Sequence, residues 1–279
     1  MKLDVQGRTA YAYSGGKTFD PALPCVVFIH GALHDHSAWT LLARWCAHHG
    51  FCTLAVDLPG HGGSVGPPLR DVQAHADWLL ALLTAAGVAR ATLVGHSMGS
   101  LIALEAAGRA PQRVERLVMM GSAYPMQVSQ SLLNTALQDP MRAIDMVNAW
   151  SFSTISAKPS FPGPGMYLHG SNRALMRRMQ AAERSINLFH HEFALCDAYR
   201  SGEAAAAALR CPVTMVLGSD DQMTPPRGAR DFATTLKARV VMVDAGHNLM
   251  AQAPDAVLNA LRLALHDAPG LAVETGVTT

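Results

Sequence analysis

The stretch VGHSMGS (94–100) sets Ser97 between Gly95 and Gly99. A serine hydroxyl is a weak nucleophile unless a histidine takes its proton and a carboxylate orients that histidine. The motif therefore counts only if its context aims the side chain outward. ATLV (91–94) ahead of it is a short apolar run of the kind that forms a buried strand. MGSLIALEAAGRA behind it is rich in helix formers, with Leu101, Leu104 and Ala107 at helical spacing. A strand turning sharply into a helix strains the residue at the bend and thrusts its side chain out. Gly95 and Gly99 are expected where the chain approaches itself too closely for a Cβ. The helix opening at Met98 points free amides and its positive dipole end at a developing oxyanion.

The partners are expected on loops at the carboxyl ends of later strands. VTMVLGS (213–219) is followed by DDQMTPP, which offers Asp220 and Asp221. ARVVMVDA is followed by GHNLMAQAP, which offers His247. Position alone does not separate the two adjacent aspartates.

The elements that must hold these residues alternate. KLDVQGRTAYAYS (2–14) reads as a hairpin turning at Gln6-Gly7. Six apolar runs follow: 25–31, 52–57, 91–96, 116–122, 213–219 and 238–246. They are continuously apolar, the mark of strands covered on both faces. Helical patterns at 37–49, 71–86, 98–109, 226–236 and 254–266 separate most of them. This rhythm predicts an α/β fold, a mostly parallel eight-stranded sheet with helices on both faces. The interval before VTMVLGS is too long for a crossover and carries helical patterns near 127–138, 140–150, 170–189 and 191–208, with a Pro/Gly-rich loop at 158–165. We read 124–208 as a helical cap inserted between two parts of the core domain, 1–123 and 209–279, whose tail from 267 onward is expected to fray.

The order Ser97, aspartate, His247 and five sequence blocks together resemble the α/β-hydrolase superfamily, capped serine esterase type. HGALHDHSAW (30–39) is similar to that family's oxyanion segment, DLPGHGGS (57–64) to its glycine turn, and GHSMG to its nucleophile elbow. DQMTP and GHNLMAQAP resemble its acid and histidine blocks. The resemblance implies the eight-stranded α/β-hydrolase fold. It implies Asp221 as the acid, four residues before Pro225, with Asp220 as the alternative. It also implies oxyanion donors in the backbone N–H groups of Met98 and Ala32, with Leu33 as the nearby alternative, and a bracing role for His30. No cap motif supports it over 124–208.

Within that family, serine at the elbow argues against the haloalkane dehalogenase, epoxide hydrolase and dienelactone hydrolase branches. Met98 departs from the tryptophan usual in proline iminopeptidases, and HGALHDH from the glycine-rich loop of meta-cleavage C–C hydrolases. An ester, thioester or lactone hydrolase working through an acyl-enzyme is the expectation. A C–C hydrolase, or a slow hydrolase-fold ligand sensor acting through a protein partner, is the alternative.

Other residues invite chemistry and are better explained structurally. His34-Asp35-His36 lacks a third block of metal ligands, so no metal site is expected. Asp57 and His61 share a tight glycine turn, where a structural role outweighs a catalytic one. His190-His191 reads as a pair of surface or satisfied polar positions, Trp39 and Trp78 as core. Arg173, Arg177, Arg178 and Arg184 read as a solvated helix face. GHGGS lacks the lysine and spacing of a phosphate loop.

The chain of 279 residues is 49% hydrophobic and 15% charged, with net charge +1, which gives no electrostatic footprint for nucleic acid. No secretory signal or membrane span is legible, and the odd cysteine count (5) without CxxC suits small buried thiols in a cytoplasmic monomer or homodimer. No cofactor is expected. Cap methionines 126, 141, 146, 166, 176 and 179, with Phe152, Phe161, Phe189 and Phe193, read first as helix packing. Some must nonetheless face the cleft, which predicts a small-molecule ester with a short to medium apolar acyl group.

Overall fold

The computed structural model describes residues 1–153, 167–183 and 185–266. The Pro/Gly-rich loop at 158–165, with Phe161, and also Met166, Arg184 and the tail from 267 lie outside the described residues.

The N-terminal hairpin pairs β1 (Lys2–Val5) with β2 (Arg8–Tyr13), and Gln6 turns it at φ 55°. Next come β3 (Cys25–Ile29), α1 (Thr40–His48), β4 (Cys52–Val56), α2 (Val72–Ala85), β5 (Ala91–His96), α3 (Met98–Arg109) and β6 (Val114–Met120). Helices α4 (Gln130–Gln138), α5 (Pro140–Trp150), α6 (Leu168–Ala182), α7 (Leu188–Ala198) and α8 (Gly202–Ala208) follow. The chain then returns through β7 (Val213–Gly218), α9 (Pro226–Thr235), β8 (Arg239–Val243), α10 (Leu249–Gln252) and α11 (Pro254–His266).

The strands form one eight-stranded sheet in the order β1-β2-β4-β3-β5-β6-β7-β8, parallel from β4 to β8 and antiparallel at the hairpin. Side chains alternate across each strand. Val27 and Ile29 of β3 pack on the α2/α3 side, whereas Val26 and Phe28 pack on the α1/α11 side with Trp39. Trp78 belongs to the first of these cores. Because both faces are covered, β3, β4, β5 and β7 are buried throughout, as their unbroken apolar runs require.

Edge strand β8 departs from expectation. ARVVMVDAG reads as continuously apolar, yet β8 alternates, and Val240 and Met242 are exposed at the sheet's end. Two helical patterns also break where the sequence reads through. The 170–189 pattern stops at Ala182 and resumes at Leu188, where Asn187 caps α7 by accepting the His190 N–H. The 191–208 pattern divides at Tyr199-Arg200-Ser201 into α7 and α8.

Helices α4 to α7 share an apolar cluster that includes Leu132, Ile144, Met176, Met179, Phe189 and Phe193. Helix α8 instead packs on α3, where a Cβ on Gly108 would lie 2.7 Å from the Ala205 Cα. No helix among the described residues is long and apolar enough to cross a membrane. Cys25, Cys46, Cys52 and Cys196 are buried free thiols; Cys211, placed ahead of β7 rather than in it, is half-buried.

Candidate active site

Strand β5 ends at His96 and α3 begins at Met98, so Ser97 occupies the bend alone, at φ 51° and ψ −119°. A left-handed φ is uncommon outside glycine, and here the surroundings enforce it. The Ser97 N–H donates to Met120 O at 2.9 Å, while its carbonyl accepts the Ser100 N–H at 2.9 Å and the Ser100 hydroxyl at 2.6 Å. Both flanking glycines are sterically required. A Cβ on Gly95 would stand 2.2 Å from Gly99 O, and one on Gly99 would stand 2.3 Å from Ile29 O.

His247 follows β8 on a loop held from several sides. Its carbonyl accepts from His96 Nε2 at 2.9 Å, the Gly246 N–H donates to Gln252 Oε1 at 2.9 Å, and the Asn248 N–H donates to Ser151 O at 2.8 Å. His247 Nδ1 lies 2.8 Å from Asp221 Oδ2. The Thr224 hydroxyl donates to that same oxygen at 2.8 Å, and Asp221 Oδ1 accepts the N–H groups of Met223 and Thr224, both at 2.8 Å. Burial pushes the Asp221 carboxyl up, but the adjacent His247 and the Thr224 donors outweigh it and hold it well below the usual carboxylate range. Asp220 is exposed, and among the described residues its carboxylate accepts only a long 3.3 Å bond from the Ser219 hydroxyl.

Ser97 and His247 line one cavity of about 210 Å³ with Ala32, and its walls are mainly apolar: Met126, Leu132, Trp150, Phe193 and Met223. Of the aromatic and methionine side chains named from the segment above the sheet, Met126 and Phe193 reach this cavity. Met176, Met179 and Phe189 pack within the helical cluster, with Met141 and Met146 against it, while Phe152 packs on His169.

The HG segment is braced as its residue types suggest. His30 is fully buried, which drives its ring well below the usual histidine range. The neutral ring donates from Nδ1 to Gly31 O at 2.8 Å and accepts the Leu58 N–H at Nε2 at 3.1 Å. Asp57 ties this segment to the glycine turn, since Oδ1 accepts the His36 N–H and ring and Oδ2 accepts the Gly63 N–H.

His34 and His36 do not converge. His34 Nε2 meets Asn172 Oδ1 at 2.9 Å, while His36 Nδ1 meets Asp57 at 2.8 Å. Among the described residues no three His, Cys, Asp or Glu side chains are placed to hold a metal ion. His191 bonds Leu69 O at 2.9 Å. Arg173 pairs with Asp145, and Arg178, whose side chain stays exposed, pairs with buried Asp35 at 2.8 Å.

Three polar residues of the site are not legible from motifs. Asn172 on α6 joins His34, Asn148 and Asn248. His96, in the variable position before Ser97, is buried, kept well below the usual histidine range by that burial, and backs the His247 loop. Glu192 on α7 is almost fully buried; its Oε2 accepts the Leu33 N–H at 2.8 Å and its Oε1 lies 3.0 Å from His61 Nε2. Burial opposes both charges, yet each favours the charged form of the other: Glu192 is lowered by His61, and His61 is raised by Glu192. The signal for Glu192 is its spacing. It lies on the stripe of Leu188, Phe189, Leu195 and Cys196, so its carboxylate faces inward with the apolar side chains.

A family model for the alpha/beta hydrolase fold matches residues 24–254, and the chain belongs to this family. It is 28% identical over 268 residues to the dihydrolipoyllysine-residue acetyltransferase component of the acetoin cleaving system of Pseudomonas putida, covering 92% of this chain but 66% of that protein. It is 27% identical over 221 residues to the pimeloyl-[acyl-carrier protein] methyl ester esterase of Chromobacterium violaceum, covering 76% of this chain and 80% of that one. In fold it is similar to the enol-lactonase from Burkholderia xenovorans LB400, with TM-score 0.80 and 21% identity over 96% of this chain and all (100%) of that one. The chain thus spans less than two thirds of some curated relatives, down to 35% of an uncharacterized protein of Mycobacterium bovis.

Proposed function

We propose that the protein is a serine hydrolase that cleaves small or medium apolar carboxylic esters, thioesters or lactones through an acyl-enzyme. The carrying observation is that Ser97, at a strained strand-to-helix bend, and His247, bonded to Asp221, face one small apolar cavity. In this reading His247 Nε2 takes the Ser97 proton as Oγ bonds to the acyl carbon, and the carbonyl electron pair moves onto oxygen. The Met98 and Ala32 N–H groups hold that oxyanion. Met98 is the first residue of α3, where amides have no intrahelical acceptor. Leu33 is disfavoured as a donor because its N–H is already engaged by Glu192.

The intermediate collapses, the alcohol or thiol leaves with the proton from His247, and water repeats the sequence on the acyl-enzyme. Asp221 stays ionised and orients the ring. The helices of 124–208 act as a lid over the acyl group, chiefly through Met126 and Phe193. Apolar walls without a charged side chain suit a neutral acyl chain, and the ester and lactone chemistry named for relatives of the family points the same way. The test is release of p-nitrophenol from p-nitrophenyl butyrate. Many turnovers per protein, abolished in Ser97→Ala, support the reading; a single burst per site favours a ligand sensor, and no release rejects the esterase.

A further inference from the structure

The turn beside Ser97 is pinned at nearly every polar group. Gly31 O receives the His30 ring and the His34 N–H; Ala32 O contacts His34 Nδ1 at 2.7 Å; and the Leu33 N–H donates to Glu192 Oε2. Among the described residues nothing accepts from the Ala32 N–H. The Ala32 N–H lies in the Gly31–Ala32 peptide plane, whose oxygen is held by His30 and His34, and the next plane is held at Ala32 O by His34 and at the Leu33 N–H by Glu192, so Ala32 presents its amide from between two pinned planes. Leu33 needs that hold, because it sits at φ 56° and its buried side chain is inserted into the apolar cluster of α4 to α7. The group that holds it comes from the second half of the chain, 159 positions away on α7.

We infer that Glu192 is a positioning residue for the oxyanion hole: by accepting the Leu33 N–H it sets the Ala32 amide, which makes lid helix α7 a part of the hole and not a detachable cover. The inference rests on the proposed reading of Ala32 as an oxyanion donor. His61 completes the device. Its Nδ1 lies 3.2 Å from Pro59 O and its Nε2 3.0 Å from Glu192 Oε1, a contact that is electrostatic rather than an aligned hydrogen bond and that favours the carboxylate in the charged form that holds Leu33. A carboxylate buried without such a partner is strongly disfavoured, which accounts for a histidine in the glycine turn and a glutamate on the apolar stripe of α7.

Three variants test this: Glu192→Leu, which removes the acceptor; Glu192→Gln, which keeps a carbonyl for Leu33; and the double variant His61→Leu/Glu192→Leu, which removes the pair without stranding a charge. Each is measured for Tm, for kcat and KM on p-nitrophenyl butyrate per titrated Ser97, and for affinity to a trifluoromethyl ketone that places an oxyanion in the hole. Glu192→Leu is expected to lose about 10- to 100-fold in kcat, with KM changed by less than about 3-fold and ketone affinity lost in proportion. Glu192→Gln recovers most of kcat. The double variant recovers Tm but not kcat, since the Leu33 N–H still lacks its acceptor. Recovery of kcat together with Tm in the double variant overturns the inference, as does a Glu192→Gln variant as slow as Glu192→Leu, or unchanged ketone affinity. A wild-type protein that neither turns over the ester nor binds the ketone overturns the esterase reading itself and the inference with it.

Discussion

Asp221 Oδ2 lies 2.8 Å from His247 Nδ1, while the neighbouring Asp220 turns its carboxylate to solvent. The two aspartates are thereby separated by geometry. On our reading Asp221→Asn lowers kcat about 10³- to 10⁴-fold, because the ring loses the carboxylate that fixes its tautomer. Asp220→Asn stays within about 2-fold, since its carboxylate is exposed and is not the one bonded to the His247 ring. Steady-state kinetics on one ester decide it, and the opposite ranking would move the acid to Asp220.

The elbow makes a stability prediction. In Gly99→Ala the new Cβ would meet Ile29 O at 2.3 Å and His30 O at 2.6 Å, and both are backbone atoms that cannot swing aside. We expect a loss of about 2–4 kcal/mol on chemical denaturation. An unchanged midpoint would mean that the bend is looser than described.

Much of this was legible in the chain. Parallel strands buried on both faces read as unbroken apolar runs, so the strands from β3 to β7 were found near their true ends, and the glycine spacing around Ser97 located the bend. The misreadings share a cause: they depend on what lies opposite. Edge strand β8 has a partner on one side only, so its alternation reflects the sheet's limit and not its own composition. The breaks at 183–187 and 199–201 contain no proline or glycine and are set by caps and by docking on α3. Glu192 and Asn172 have no motif at all; their partners, Leu33 and His34, lie more than a hundred residues away.

Acid stability follows from a buried ring. His75 on α2 is almost fully buried, and burial lowers it to about 4 from the ordinary 6.5. Between those values the unfolded chain binds a proton that the folded one does not, so stability is full above pH 6.5 and falls as the pH drops toward 4. The contribution at stake is about 3 kcal/mol, and buried His30 and His96 act in the same direction. His75→Leu should therefore lose less stability than wild type between pH 6.5 and 4.5, by urea denaturation at each pH. Parallel curves would show that His75 does not titrate on unfolding.

Acyl preference follows from the cavity. At about 210 Å³ the space beside Ser97 accommodates a short or medium chain. Each methylene that fits should raise kcat/KM up to about 4-fold, from ~0.8 kcal/mol of burial, until the walls are reached. Across p-nitrophenyl esters from acetate to palmitate we expect a maximum at short or medium length. A maximum at palmitate would contradict this.

On our reading Ser97 is a nucleophile activated by His247. A fluorophosphonate probe followed by peptide mass mapping tests it most directly, because the phosphorus atom bonds only to an activated oxygen. One adduct per chain is expected, on Ser97, absent in Ser97→Ala and slowed by orders of magnitude in His247→Ala. An adduct on another residue, or labelling of Ser97 that is as fast without His247, would contradict it.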